Sequence, residues 1–99
     1  VRVYISGPIT GYENGNREEF EVATSGLRQM GHEPVNPQDL PHDHGKTWAE
    51  YMKVDLEALL HVDAVLVLNG WQLSRGAKIE VNLAMELGIP VYAEAWRLP

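Results

Sequence analysis

Two carboxylates in this chain stand where apolar side chains are expected. Glu80 lies in a stretch, residues 75–87, whose apolar residues recur at helical spacing, so its side-chain neighbours are Ala77, Leu83 and Ala84. Asp55 repeats the pattern, with Tyr51 and Met52 one turn before it and Ala58 and Leu59 one turn after. A carboxylate facing a packed surface costs free energy unless it is paired or used, and burial raises its pKa. A structural reading has each satisfied by an arginine or a backbone cap. The chemical reading is glycosidic cleavage, in which one carboxylate attacks C1′ and the other protonates or orients the departing group; retaining enzymes hold the two roughly 5 Å apart. Glu50 and Glu57 each neighbour Lys53 and read as solvated, and Glu86 has polar Asn82 beside it.

Other residues could hold a ligand near these two. Ser74 precedes the Glu80 helix as an N-cap, and the same position is an anion site because free N–H groups and the helix dipole point at it. Gly76 lies in the same turn. The segment after the opening apolar run, with Gly7, Ile9, Thr10 and Gly11, is a glycine-rich loop of the kind whose backbone N–H groups approach ligands closely. Tyr4, if it ends a strand beside Glu80, could orient that carboxylate; as an isolated aromatic it reads equally as core. Trp71 and Trp48 could stack on a base or close a core or subunit contact. His42 and His44 flank Asp43, but no nearby residue completes a metal-ligand set, so no metal is expected.

The elements that must position these groups alternate. Residues 1–6 read as a first strand closed by Gly7-Pro8. Asn16 and Glu19 have capping-box spacing and open a helix that stops at Gly31, and residues 32–36 form a short second strand ended by Pro37. Residues 37–46 read as a loop; Thr47 and Glu50 form another capping box ahead of a helix over 48–60. A buried strand over 64–68, the Glu80 helix capped by Gly88 and a last strand over 89–93 complete the pattern. The tail after Glu94 either docks on a neighbour or frays. Alternating strands and helices predict an α/β fold, a three-layer Rossmann- or flavodoxin-like domain with a mostly parallel four- or five-stranded sheet and helices on both faces. Ligands in such folds bind at the C-terminal strand ends, which gathers residues 4–11 and 69–80 at one edge.

Length and charge narrow the classes further. Ninety-nine residues make one domain over 1–99, and 44% hydrophobic with 22% charged residues is the composition of a soluble globular chain. A formal net charge of −6 argues against a nucleic-acid polymer as partner, since such a surface needs clustered Lys and Arg. No cysteine is present, which removes disulfides and thiolate metal sites. The apolar runs fall short of the roughly 20 residues of a membrane span, and no signal segment opens the chain, so a cytoplasmic location is expected.

Taken together, Tyr4-Ile5-Ser6-Gly7-Pro8-Ile9-Thr10-Gly11, then Asp55 with Leu59 and Asp63-Ala64-Val65, then Ser74-Arg75-Gly76-Ala77 leading to Glu80 and Gly88-Ile89-Pro90-Val91, resemble the nucleoside 2-deoxyribosyltransferase-like superfamily. The likeness spans nearly the whole chain in order. It is strongest to small, often phage-encoded members and to the 2′-deoxynucleoside 5′-monophosphate N-glycosidases. By that resemblance Glu80 is the nucleophile that forms a covalent glycosyl-enzyme intermediate, Tyr4 positions it, and Asp55 contacts the sugar and assists the leaving base. Ser74 matches the serine that binds the 5′-phosphate. Pro8 and Thr10 stand where those hydrolases offer further polar and basic contacts, which leaves Thr10, Arg75 or a partner's residue to complete phosphate binding. The resemblance implies a nucleoside or nucleotide substrate, no cofactor, and a homodimer or higher oligomer. It leaves hydrolysis, base exchange by a transferase, and a non-catalytic nucleotide-binding module as alternatives.

Overall fold

A computed structural model of the chain describes residues 1–42 and 47–99. Four strands, β1 (Arg2–Ser6), β2 (Glu33–Val35), β3 (Ala64–Val67) and β4 (Val91–Tyr92), form one sheet in the order β2-β1-β3-β4, every neighbouring pair parallel. Three helices connect them: α1 (Arg17–Gln29), α2 (Trp48–Leu59) and α3 (Arg75–Glu86). This is the expected α/β, flavodoxin-like architecture, with the sheet four-stranded and wholly parallel. Strand order reverses beside β1, so the loops leaving β1 and β3 diverge there and open the crevice in which ligands of such sheets sit.

Side-chain alternation along β1 builds both faces of the core. Val3 and Ile5 pack with Phe20 and Leu27 of α1, together with Leu66 of β3. Tyr4 points the other way, joining Val65, Val67, Leu59, Val81 and Ala84 beneath α2 and α3. Central β3 is buried on both faces, as a parallel strand covered by helices must be. The tail docks: Leu98 is buried in the α1-side core, after a turn of 3-10 helix at Ala95–Arg97.

Several local expectations are corrected. Thr47 does cap α2, its Oγ1 accepting the Glu50 N–H at 3.2 Å. Asn16 makes no such bond for α1. Asn14, Gly15 and Asn16 run in succession through left-handed backbone (φ 51°, 64° and 61°), a conformation that glycine and asparagine tolerate best. That path turns the Asn16 side chain away from the helix, and its Nδ2 donates to the Pro8 carbonyl at 3.0 Å. Gln38 Nε2 donates to the Gly15 carbonyl at 2.6 Å, so the loop after β1 is fastened from two sides. Gln38 itself lies in a 3-10 turn, Pro37–Asp39, capped by Asn36, inside the stretch expected to be plain loop. The last strand is shorter than expected, because β4 pairs on one edge only and the chain bends after Tyr92 to seat Leu98.

Candidate active site

Beneath the crevice, β1 and α3 meet around one carboxylate. Tyr4 and Ser6 sit two residues apart on β1 and therefore share the face toward α3. Ser74 caps α3, its Oγ accepting the Ala77 N–H at 3.2 Å, which fixes the helix start and sets Glu80 over that face. The Tyr4 hydroxyl donates to Glu80 Oε2 at 2.5 Å and the Ser6 hydroxyl donates to Oε1 at 2.7 Å. With both oxygens held, the carboxylate is locked in one orientation.

Burial decides the electrostatics here. Glu80 is 5% exposed, and loss of hydration pushes its pKa up to about 7. The Tyr4 and Ser6 hydrogen bonds pull in the opposite direction, and the charge of Asp55 adds a smaller push upward. The same burial, with Glu80 alongside, keeps the Tyr4 hydroxyl protonated and a permanent donor. Asp55, on α2, is also raised by burial, against a hydrogen bond from His42 that lowers it. His42 Nε2 lies 2.8 Å from Asp55 Oδ1, and its ring packs on Tyr51 with centroids 4.6 Å apart.

Both carboxylates open into a cleft of about 790 Å³, within the range of small-molecule sites. One wall is the loop after β1, with Gly7, Pro8, Ile9, Thr10 and Tyr12; another is α2, with Trp48, Tyr51 and Met52. The N-terminus of α3 closes the third side with Ser74, Arg75 and Gly76. Gly7 lets the first wall run close against Leu68, since a Cβ there would come 2.8 Å from Leu68 Cβ. Arg75 lays its guanidinium over the Trp48 ring, 4.0 Å from the centroid. Mostly apolar walls, two carboxylates, Glu80 on the floor and Asp55 on the α2 wall, and a helix N-terminus at one end suit a ligand with a flat apolar part and an anionic end.

The structure brings together most of the residues singled out from the sequence. Glu80, Asp55, Gly7, Ile9, Thr10, Ser74 and Gly76 line the cleft, and Tyr4 lies directly beneath Glu80. Gly11 and Trp71 are not among the lining residues. Gly11 occupies a turn at φ 85°, and Trp71 packs, half-buried, on the α2/α3-side core. Asp43 and His44 lie outside the described residues, while the adjoining His42 is engaged with Asp55. Sequence reasoning passed over Ser6, whose signal was its two-residue spacing from Tyr4. It also passed over the pairing of His42 with Asp55, which no local pattern announces. No helix among the described residues is long and apolar enough to cross a membrane.

No curated protein matches this sequence. Among solved structures, a 2-deoxyribosyltransferase from the psychrotolerant bacterium Bacillus psychrosaccharolyticus superposes with a TM-score of 0.71 at 22% identity, covering 95% of this chain and 75% of that one. At that identity the likeness is one of fold: the chain has a nucleoside 2-deoxyribosyltransferase-like fold. Residues 1–93 match a family model described as a domain of unknown function, and the chain belongs to that family, DUF4406.

Proposed function

We propose that this chain is an N-glycosidase of a (deoxy)nucleoside 5′-monophosphate that works by retention. The observation that carries the reading is the Glu80 carboxylate, buried on the cleft floor and gripped by Tyr4 and Ser6. Holding a carboxylate there costs stability, and a cleft that opens onto it gives the cost a purpose.

In the first step a Glu80 oxygen attacks C1′ and the C1′–N bond breaks. Its electron pair goes to the base, which takes a proton from Asp55. In the second step water attacks C1′ and returns a proton to Asp55, and the ester bond breaks to regenerate the Glu80 carboxylate. Two inversions give net retention. The N-terminus of α3, with Ser74 and the Arg75 guanidinium, is the place for the 5′-phosphate. Trp48 and Tyr51 offer the base aromatic surface.

A second reading is base exchange by a transferase, the activity named for the 2-deoxyribosyltransferase whose fold the chain shares; it differs only in a base replacing water in the second step. The reading carries a homodimer or larger homo-oligomer in the cytoplasm, in which a second copy would cover Leu73, strongly exposed at the cleft rim. Free-base release, followed by chromatography from a panel of nucleosides and their 5′-monophosphates, tests the proposal. Release from monophosphates in water, lost in Glu80→Gln, is the expected result. Release only when an acceptor base is added moves the chain to the transferase side. A folded wild type that binds nucleotide and releases nothing makes it a binding module.

A further inference from the structure

The Asp55 carboxyl is not alone in the cleft wall. His42, contributed by the segment after β2, places Nε2 2.8 Å from Asp55 Oδ1, and both side chains are nearly buried. The imidazole is itself held from behind by the Tyr51 ring. His42, Tyr51 and Asp55 all line the cleft, so this is a braced hydrogen bond beside the ligand space rather than a surface ion pair. A carboxyl that protonates a departing base must present one oxygen to it and must become more acidic as the proton leaves. A donor fixed on the other oxygen supplies both conditions.

We propose that His42 is the positioning residue of the leaving-base acid: its Nε2–H holds Asp55 by Oδ1, so that Oδ2 faces the base and delivers the proton. The inference rests on the N-glycosidase reading above. When the C1′–N bond breaks, the proton on Asp55 Oδ2 passes to the base nitrogen that receives the electron pair. Asp55 is left as a carboxylate, and the His42 Nε2–H bond to Oδ1 becomes charge-assisted and stronger. In the second step water's proton returns to Oδ2. His42 keeps its own proton throughout, so the cycle balances without a further donor.

The variants that separate this role from a structural one are His42→Phe, which keeps a ring on Tyr51 without a donor, and His42→Gln, whose amide nitrogen can replace Nε2. Each is assayed against a nucleoside 5′-monophosphate and against the 4-nitrophenyl glycoside of the same sugar phosphate, whose leaving group needs no proton. Melting curves confirm that both variants fold. His42→Phe is expected to slow base release about 10- to 100-fold and nitrophenol release only a few-fold, with His42→Gln recovering most of the loss. Equal slowing of both substrates, or no slowing of either, overturns the assignment. Wild type is read first: if it releases neither base nor nitrophenol, the glycosidase reading itself falls and takes the role of His42 with it.

Discussion

Removing the charge of Glu80 should make the protein's stability less sensitive to pH, by an amount that follows from its environment. In the folded chain burial raises the Glu80 pKa from 4.5 to about 7. Between those values the folded state holds a proton that the unfolded chain has released, so stability falls as pH rises. The stabilising contribution is complete below about pH 4.5 and lost once pH has passed through 7. A shift of that size corresponds to about 3 kcal/mol between the two ends. Glu80→Gln keeps the shape and cannot titrate, so urea unfolding of both proteins from pH 4 to 8.5 isolates the effect. Asp55 titrates in both and largely cancels. The variant should gain about 3 kcal/mol on wild type between the acid and alkaline ends, or more than about 10 °C in Tm for a domain of this size. Parallel curves for the two proteins would refute the claim that Glu80 is a carboxylate held at a desolvation cost.

The neighbours of Glu80 give further tests. Tyr4→Phe and Ser6→Ala each delete a hydrogen bond that favours the charged form, so the acid limb of kcat/KM should move about one to two pH units upward, read from pH–rate profiles. Ser74→Ala removes the N-cap of α3 and should cost about 1 kcal/mol by denaturant titration. The same variant should raise KM for a monophosphate more than for the free nucleoside. Gly7→Ala drives a Cβ to 2.8 Å from Leu68 Cβ, and overpacking of that kind should cost about 1–3 kcal/mol, seen as a lower urea midpoint.

What the sequence made legible was whatever depends on periodicity. Glu80 and Asp55 break the apolar stripes of α3 and α2, and a break in a stripe is visible without coordinates. The fold follows from alternating elements for the same reason. Ser6 was harder to see, because a serine before Gly-Pro looks like the start of a turn. Only the pairing of β1 with β3 and the placing of α3 turn its hydroxyl onto Glu80. The His42 contact is harder still, since it needs the segment after β2 to fold back against α2 across thirteen residues of sequence. Asn16 shows a local rule losing to its surroundings: the spacing to Glu19 suits a capping box, but the left-handed path of the loop spends its amide on Pro8. Trp71 illustrates the same limit, as an aromatic whose type suits a base but whose position serves the core.

The central claim is that Glu80 is the nucleophile, and a covalent adduct is its most direct sign. Wild-type protein would be mixed with a 2′-deoxynucleoside 5′-monophosphate, quenched with acid during turnover and digested for peptide mass analysis. The account predicts a phosphodeoxyribosyl mass increment on the peptide carrying Glu80, absent from Glu80→Gln, which should release no base. An adduct on any other residue, or undiminished base release by Glu80→Gln, would contradict it.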